Sequence, residues 1–307
     1  LYLLFQYLRI FNRLRPDVIL AYTAKPNIYG SIAARFYSIP VVNNITGLGT
    51  AFIRGGLLGR ILSFLYNISL RKSKCVFFQN NDDKDLFLKK NLVAKGQVDI
   101  LPGSGVNLKY FQPSNSDVTN KNQDEFVFLL IARLIWDKGI QEYVDAARLI
   151  KKDNSNIRFQ ILGFLDVDNQ TAVLRSDVDS WVEEGIIEYL NATDDVRPFI
   201  EKSDCVVLPS YREGTPKTLL EAGAMGKPII TTNVEGCKDV VDDGVNGYLC
   251  KVRDYNDLAK KMNNLLALDS KDFERMGLQS RKKMELEFDE KIVIAKYINL
   301  VNNTVHH

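Results

Sequence analysis

The segment PSYREGTPKTLLEAGAMGKPII contains two carboxylates and a lysine around a predicted helix start. Thr215 is a suitable N-cap, and Pro216 fits the first helical position, where its missing N–H costs nothing. Gly226 and Pro228 end the helix before the next strand. Because the start of a helix exposes backbone N–H groups that bind anions, we expect a phosphate site at this position.

Three charged side chains surround the predicted phosphate site. Lys217 adds a positive charge at the helix start. Glu221 would lie about 7.5 Å along the helix axis from Pro216, at about 1.5 Å per residue, which suits the ribose hydroxyls of a nucleoside diphosphate. Glu213, in the loop before the helix, would accept hydrogen bonds from a sugar on the other side. The segment therefore predicts a sugar-nucleotide site.

A pair of cations follows a predicted strand at Phe126–Ile131. In the sequence ARLIWDKG, this strand delivers Arg133 to the edge of its sheet, and Lys138 opens the next helix. Loops beyond the carboxyl ends of parallel strands hold ligands, so we expect both side chains to point at the ligand cleft.

Short runs rich in Val and Ile alternate with helical patterns along nearly the whole chain, which is typical of β-α-β units and parallel sheets. We predict an α/β protein with two Rossmann-like domains, at 1–105 and 126–286, the first of them incomplete. Residues 101–125 are rich in Gly, Pro, Asn and Ser, and the predicted interdomain linker is 106–125. A C-terminal helix, 287–307, is expected to pack back on the first domain. The predicted strands are Val18–Tyr22, Val41–Asn43, Cys75–Phe78, Val98–Leu101, Phe126–Ile131, Phe159–Leu162, Ile187–Leu190, Cys205–Leu208, Ile229–Thr231 and Tyr248–Cys250.

Seven residues taken together resemble the E-x7-E motif of retaining glycosyltransferases of family 4: Glu213, Gly214, Pro216, Glu221, Ala222, Gly226 and Pro228. The resemblance extends through RPDVILAYTAKPN, ITGLGTAF, LPGSGVNLKYFQP, ARLIWDKG and GCKDVVDDGVNGYL. It implies the GT-B fold, in which two Rossmann-like domains face a cleft. It also implies catalytic roles for Arg133, Lys138 and Glu213, and donor contacts from Gly214, Thr215, Pro216, Lys217, Thr218 and Glu221.

The same resemblance implies a reaction. A hexose or N-acetylhexosamine is moved from a nucleotide sugar, UDP-linked in the members that the chain resembles, to a sugar acceptor on a lipid carrier. The anomeric configuration is retained. The members in question are bacterial enzymes that assemble capsules, other polysaccharides and glycans.

The acceptor side departs from the family pattern. Many members carry a histidine in the segment that matches AYTAKPN, whereas this chain has Thr23, Ala24 and Lys25 there. The family's Gly-rich loop after the first strand is also absent, so we expect a leading segment to be missing. The residues predicted to line the acceptor side are Lys25, Asn27 and the loop Thr46–Gly49, chiefly Thr46 and Gly47.

Charge is divided unevenly along the chain. Residues 1–105 hold 14 basic and 5 acidic side chains, whereas the remaining residues hold 26 basic and 33 acidic ones. The basic part predicts attraction to an anionic membrane surface or to a phosphorylated substrate. Its cations are scattered and no nucleic-acid module signature is present, which argues against nucleic acid as a partner. No apolar run approaches the roughly 20 residues of a membrane span, so no bilayer crossing is predicted. The widely spaced cysteines fit a reducing cytoplasm, and we expect a cytoplasmic protein, peripheral on the inner face of the cell membrane.

No metal or other cofactor is expected. D-x-D triplets occur at Asp166–Asp168 and Asp177–Asp179, but both lie in a polar stretch typical of solvated loops. Arg133 and Lys138 supply the positive charge that a metal would bring. Four cysteines without a C-x-x-C pattern indicate neither a zinc site nor a disulfide framework.

Three other functions are compatible with Rossmann-like domains in general. A nicotinamide dehydrogenase needs G-x-G-x-x-G between a strand and a helix, but Phe52 and Leu108 stand where the third glycine should be. A sugar-nucleotide epimerase of the same fold stays open. A non-catalytic fragment that binds a sugar nucleotide without transferring the sugar stays open as well.

Overall fold

A computed structural model of the chain describes residues 2–48, 56–113 and 125–305. The chain divides into two compact units: unit 1 is Leu1–Ser104 with Lys291–His307, and unit 2 is Gly105–Glu290. Unit 1 carries 16 basic and 5 acidic side chains, whereas unit 2 carries 24 basic and 33 acidic ones. None of the described helices is long and apolar enough to cross a membrane.

Unit 1 is built on four parallel strands in the order β1-β2-β3-β4. They are β1 (Ile19–Tyr22), β2 (Val41–Ile45), β3 (Cys75–Phe78) and β4 (Val98–Ile100). With helices numbered in chain order, unit 1 contains α1 (Tyr2–Leu14), α2 (Ser31–Arg35, after a π-helical turn at Pro26–Gly30), α3 (Gly56–Leu70), α4 (Asn81–Lys89) and the C-terminal α11 (Glu290–Val305).

Both faces of the unit 1 sheet are covered. Val76 and Phe78 of β3 pack on the side of α3 and α4, whereas Phe77 packs with Val293 of α11. Asn44 of β2 donates a hydrogen bond to the phenol oxygen of Tyr297 on α11 at 2.9 Å. Alternate residues of a strand point to opposite faces, so a parallel sheet with apolar residues at consecutive positions needs helices on both sides.

Unit 2 is built on six parallel strands in the order β10-β9-β8-β5-β6-β7. They are β5 (Phe126–Ile131), β6 (Ile157–Leu162), β7 (Glu188–Tyr189), β8 (Cys205–Leu208), β9 (Ile229–Thr232) and β10 (Gly247–Cys250). Its helices are α5 (Ile140–Lys151), α6 (Arg175–Glu183), α7 (Arg197–Lys202), α8 (Lys217–Ala224), α9 (Tyr255–Leu266) and α10 (Ser270–Glu287).

The central strand β5 separates two cores in unit 2. Phe128 and Leu130 belong to one apolar cluster, and Leu129 and Ile131 belong to the other. All four side chains are buried, so the strand lies between two helical layers. This arrangement is the doubly wound sheet expected from the alternation of apolar runs and helical patterns.

Residues 106–113 were predicted to be the first part of the interdomain linker, but the structure places them within unit 2. Val106 forms a parallel bridge with Asp289, and Phe111 is buried in the core. The guanidinium of Arg281 donates to the carbonyl oxygen of Phe111 at 2.8 Å. Burial of two apolar side chains explains the difference from the polar composition of the whole segment. Residues 114–124 lie outside the described residues.

Candidate active site

Three loops of unit 2 leave the same edge of the sheet. The strands β5, β8 and β9 are parallel neighbours, so the loops that follow them begin side by side. The chain passes from β5 to β6 on one side, while β8 pairs with β5 on the other. Ligands of open α/β sheets bind at such a reversal of strand order, beyond the carboxyl ends of the strands.

The first loop, after β5, packs directly on the second, after β8. It forms a 3₁₀ turn at Trp136–Lys138 before α5 begins. We predicted that Lys138 opens the helix; it lies on this turn instead, because Gly139 interrupts the helix with a left-handed φ of 72°. A Cβ atom on Gly139 would lie 2.0 Å from the carbonyl oxygen of Pro209. The absence of a side chain therefore permits the close approach of the two loops.

Hydrogen bonds fasten the second loop to the first. The hydroxyl of Ser210 and the backbone N–H of Tyr211 both donate to the carbonyl oxygen of Asp137, at 3.1 and 2.9 Å. The phenol of Tyr211 donates to the carboxylate of Glu142 at 2.9 Å. Burial, with this carboxylate beside it, raises the pKa of Tyr211 to about 12. The phenol therefore keeps its proton at neutral pH and holds the loop in place.

These two loops bring Lys138 and Glu213 into contact. The ammonium group of Lys138 donates to a carboxylate oxygen of Glu213, although 75 residues separate them in the chain. The side chains are 18% and 13% exposed, so water screens this pair less than a surface ion pair. The contact places one cation and one hydrogen-bond acceptor immediately before the start of α8.

The third loop, after β9, supports the Glu213–Gly214 backbone. The backbone N–H of Glu213 donates to the carbonyl oxygen of Glu235 at 3.3 Å, and Arg212 lies 3.6 Å from the Glu235 carboxylate. Gly236 has a φ of 78°, and a Cβ atom there would lie 2.0 Å from the carbonyl oxygen of Gly214. Glycine at residue 236 is therefore required for this contact.

Helix α8 begins one residue later than predicted. Its N-cap is Pro216, with φ −72° and ψ 113°, and its first residue is Lys217. Thr215 is therefore not the N-cap, and Pro216 is not the first helical residue. The extended ψ of Pro216 explains the shift, because an N-cap residue has a non-helical backbone. The left-handed Gly226 follows the end of the helix, where the sequence predicted the helix to stop.

Glu221 lies one turn inside α8 and is buried. Burial raises the pKa of its carboxyl group above the usual value, and the ammonium group of Lys217, 3.7 Å away, lowers it in part. Lys217 is exposed and Thr218, in the same first turn, is half-buried. At about 1.5 Å per residue, Glu221 lies about 6 Å along the axis from the first helical residue.

Arg133 lies in the same loop as Lys138, and its side chain is exposed. Among the residues that the structure describes, none pairs with its guanidinium group. The structure therefore gathers Arg133, Lys138, Glu213 and the predicted donor contacts at one edge of the unit 2 sheet. The roles assigned to these residues stay predictions.

In unit 1, three of the predicted acceptor residues lie at the carboxyl edge of the sheet. Lys25 follows β1 and is exposed, and Thr46 and Gly47 follow β2 and are half-buried. Gly49, at the end of the same predicted loop, lies outside the described residues. The position of the three residues is the one expected of residues that meet a ligand at the ends of parallel strands.

Asn27 differs from the other predicted acceptor residues because it is fully buried. Its Nδ2 donates to the carbonyl oxygen of Asn44 at 2.8 Å, and its Oδ1 accepts from Asn43 at 2.9 Å. The sequence prediction was that Asn27 lines the acceptor side. The structure places it in the interior, where the amide satisfies polar groups of the sheet.

The two D-x-D triplets lie in the loop after β6 and in α6, outside the three loops described above, although hydrogen bonds join the loop after β6 to the loop after β5. Asp166 pairs with Arg175 at 2.5 Å, and both side chains are exposed. Asp177 lies in the first turn of α6, where its carboxylate accepts from the backbone N–H of Leu174 at 3.4 Å. Within the described parts of the chain, no group of three or more His, Cys, Asp or Glu side chains could hold a metal ion.

The sequence patterns did not predict that the loop after β9 contacts the site. Glu235 and Gly236 contact Glu213 and Gly214 through backbone atoms, and these contacts join parts of the chain more than 20 residues apart. A glycine shortly after a predicted strand was the available signal, since such a glycine often marks a close approach of two backbones. The role of Tyr211 was missed for the same reason, because Asp137 and Glu142 lie in another loop and helix.

Comparisons with known proteins agree with this geometry. A family described as Glycosyl transferases group 1 matches residues 111–283, and one described as Glycosyl transferase 4-like matches residues 1–80. The N,N'-diacetylbacillosaminyl-diphospho-undecaprenol alpha-1,3-N-acetylgalactosaminyltransferase of Campylobacter jejuni is 29% identical, over 97% of this chain and 80% of the relative. The UDP-Gal:alpha-D-GlcNAc-diphosphoundecaprenol alpha-1,3-galactosyltransferase of Escherichia coli is 25% identical, over 96% of this chain and 78% of the relative.

A solved structure has the same fold. Anabaena Alr3699/HepE, in complex with UDP, superimposes with a TM-score of 0.83 at 18% identity, over 98% of this chain and 82% of that one. The likeness confirms the predicted GT-B fold class. The group 1 match covers more than half of the chain and includes all three loops of the site. The chain thus belongs to the group 1 glycosyl transferases, and it is a glycosyltransferase.

Proposed function

We propose that the protein transfers a hexose or N-acetylhexosamine from a UDP-linked sugar to a sugar on a lipid carrier, in the synthesis of a cell-surface polysaccharide. The contact of Lys138 with Glu213 at the start of α8 carries this proposal. The names of the Campylobacter and Escherichia relatives support the acceptor class, because both name a sugar on diphospho-undecaprenol. The UDP in the Anabaena complex supports the nucleotide.

Each group at the site has one task in this proposal. The diphosphate binds at the loop and first turn formed by Gly214–Thr218, where backbone N–H groups and the helix dipole favour negative charge. Arg133 and Lys138 bind the same diphosphate through their charged side chains. Buried Glu221 accepts hydrogen bonds from the ribose hydroxyls, which distinguishes the nucleoside end of the donor from the sugar end.

The transfer breaks the bond between C1 of the sugar and the diphosphate oxygen. The acceptor hydroxyl forms the new bond to C1 on the same face, and its proton passes to the departing diphosphate. Negative charge grows on the diphosphate as the bond breaks, so Lys138 and Arg133 stabilise the transition state more than the bound donor. When Lys138 turns to the phosphate, the carboxylate of Glu213 becomes available to accept hydrogen bonds from the sugar.

Calorimetric titration of UDP, GDP and ADP tests the donor site. We expect UDP to bind selectively, and a Glu221→Ala variant to bind it more weakly. Glu274→Ala is the matched control, because Glu274 is an exposed glutamate on another helix of unit 2. Equal UDP affinity in both variants would show that Glu221 does not hold the ribose. Failure of all three nucleotides to bind would remove the proposed donor site.

Product analysis tests the reaction itself. We expect a labelled sugar to move from a UDP-sugar to an undecaprenyl-diphosphate-linked acceptor with retained configuration, as read by NMR of the product. An altered sugar nucleotide formed without acceptor would indicate an epimerase instead. We propose that no metal is required, since Arg133 and Lys138 supply positive charge, and we therefore expect the same rate in EDTA.

We further propose that unit 1 lies on the anionic inner face of the cell membrane, which gives the protein a cytoplasmic, peripheral location. Helix α3 exposes Leu57, Ile61 and Phe64, at i, i+4 and i+7, so they form one apolar stripe. Leu58 and Arg60, both exposed, flank this stripe. The charge of unit 1, 16 basic against 5 acidic side chains, complements an anionic bilayer.

Co-sedimentation with vesicles tests this location. We expect binding to phosphatidylglycerol vesicles but little binding to phosphatidylcholine vesicles, and we expect Ile61→Ser/Phe64→Ser to reduce the bound fraction. Leu278→Ser/Leu286→Ser is the control, because it removes two leucines of unit 2 that are 62% and 66% exposed. Equal loss in both variants would show that the α3 stripe is not the contact surface.

A further inference from the structure

A cavity of about 420 Å³ lies in unit 1 at the amino ends of β2 and β3. Residues of the turn before β2, the segment between α3 and β3, and Thr304 of α11 line it. Lys25, Thr46 and Gly47 follow the carboxyl ends of β1 and β2, at the opposite edge of the same sheet. The cavity is therefore separate from the predicted acceptor residues.

Three cations line this cavity, and no carboxylate does. The cations are Arg35, Lys72 and Lys74. The chain contains no Asp or Glu between Asp17 and Asp82, and none after Glu290. Every segment that lines the cavity comes from these stretches, so the positive charge is not balanced within its wall. A concave site lined by one sign of charge concentrates ions of the other sign.

The surroundings of the Arg35 side chain also lack negative charge. Its guanidinium donates to the carbonyl oxygens of Ile68 and Ser69 at the end of α3, the second at 2.9 Å. Its Nε is buried and has no hydrogen-bond partner within the described residues. Burial, and to a smaller extent repulsion from the nearby Arg71, lower the pKa of Arg35. An anion in the cavity would offset the repulsion between these two cations.

Hydroxyl groups complete the lining. Ser31 Oγ accepts a hydrogen bond from Asn43 at 2.8 Å, so its own proton remains for another acceptor. Ser69 and Ser73 also line the cavity, but their hydroxyl protons are donated to the carbonyl oxygen of Tyr66 and to Oδ1 of Asn43. The three cations and the Ser31 hydroxyl form a set of donors that suits phosphate oxygens, which accept several charge-assisted hydrogen bonds at once.

We propose that this cavity binds a phosphate group, either as inorganic phosphate or as the phosphate of a lipid headgroup, with exposed Lys72 and Lys74 as its principal charged contacts. The volume of about 420 Å³ accommodates a phosphate with a small organic substituent. The proposal does not rest on the transfer reaction, because the cavity shares no residue with the predicted donor or acceptor sites.

Calorimetric titration of inorganic phosphate and of glycerol 3-phosphate into the whole protein tests the proposal. Saturating UDP is present to occupy the donor site, and the ionic strength is low because salt screens exposed charges. The test variant is Lys72→Ala/Lys74→Ala. The control is Lys84→Ala/Lys89→Ala, which removes the same charge from α4 of the same unit and lies outside the cavity.

We expect the wild type and the control to bind with the same affinity, and the Lys72→Ala/Lys74→Ala variant to bind about tenfold or more weakly, from the loss of two nearby charges. Equal affinity in all three proteins, or no binding by any, would overturn the proposal. A melting temperature equal to that of the wild type would show that the test variant is folded. If UDP itself fails to bind, the donor proposal fails, but the comparison of the two lysine pairs still decides this one.

The two probes separate the sources of the phosphate. Tighter binding of glycerol 3-phosphate assigns the cavity to a lipid headgroup, since this probe carries the headgroup's glycerol. Tighter binding of inorganic phosphate assigns it to the free ion. In either case, the Lys72→Ala/Lys74→Ala substitutions must weaken the binding of the preferred probe, and the control substitutions must not.

Discussion

The two units use polar residues near their sheets in opposite ways. In unit 1, the buried polar groups of β2 and its neighbours are neutral: Asn43 donates to Asn27 and Ser31 and accepts from Ser73, at 2.6–2.9 Å. In unit 2, three half-buried or buried groups at the carboxyl edge are charged: Lys138, Glu213 and Glu221.

This difference separates structural from functional polar groups. The amides of unit 1 satisfy one another, so the network stabilises a single arrangement of β2 and its neighbours. The charged groups of unit 2 hold few partners, and burial of the Glu221 carboxyl opposes its ionised form. Charged groups whose ionised form is opposed by burial, as it is at Glu221, often lie where a ligand completes their interactions. Substitutions in unit 2 should therefore change activity more than stability, and those in unit 1 the reverse.

Lys138→Ala should have the largest effect. It removes a fixed cation from the diphosphate, and loss of one such transition-state contact costs about 2.7–4 kcal/mol, or about 10²–10³ in kcat. Steady-state kinetics with saturating donor measures the change. Lys152→Ala is the control, because Lys152 is exposed just after α5. A wild-type rate for Lys138→Ala would remove this residue from the catalytic group.

Gly236→Ala should lower kcat by about tenfold or more, since an added Cβ must displace the Glu213–Gly214 backbone and misplace a reacting group. Gly244→Ala is a closely matched control: both glycines have a φ of 78°, but a Cβ on Gly244 meets nothing within 4 Å. The backbone strain of a left-handed alanine is thus present in both variants. Equal kcat in the two would show that the third loop does not position Glu213.

Local sequence patterns predicted most of the strands and helices that these loops connect. The strands Cys75–Phe78, Phe126–Ile131 and Cys205–Leu208 are confirmed with their predicted bounds. The loop and helix with Glu213 and Glu221 were found because proline, glycine and charge at fixed spacing act locally. The sequence did not predict the contacts of Gly139 with Pro209 and of Gly236 with Gly214, because these contacts join distant parts of the chain.

Burial was the other property that sequence patterns did not supply. Asn27 was predicted to line the acceptor side, since it lies in the segment that matches the family's histidine-bearing segment. Its partners Asn43 and Asn44 lie on the next strand of the sheet, and the amide packs between them. A polar residue at a strand end is therefore ambiguous until the pairing of the strands is known.

Asn43→Ala should destabilise unit 1 by about 1–3 kcal/mol, because Asn27, Ser31 and Ser73 each lose a buried partner. Hydrogen–deuterium exchange with peptide resolution measures this locally. We expect faster exchange in the peptide that contains β2 and little change in the peptide that contains β5. Asn67→Ala is the control, because Asn67 is exposed and donates one hydrogen bond, to the carbonyl oxygen of Asn91. Equal protection of β2 in both variants would show that the network does not stabilise it.

Glu221→Gln should have the smallest effect on stability, and the effect should be a gain. Burial raises the folded-state pKa of Glu221 above its unfolded value, although Lys217 offsets part of this shift. The folded protein therefore binds the proton more tightly, so the wild type loses stability as the pH rises through the folded-state pKa. Glutamine stays neutral, so Glu221→Gln should melt slightly above the wild type at pH 7, and the difference should vanish in acid.

The same substitution should weaken UDP binding, because a neutral amide oxygen accepts a weaker hydrogen bond from the ribose than a carboxylate does. A gain in melting temperature together with a loss of UDP affinity would show that the Glu221 carboxylate strengthens UDP binding but lowers the stability of the folded protein. A fall in melting temperature at pH 7 would contradict this, and would place Glu221 with the structural amides of unit 1.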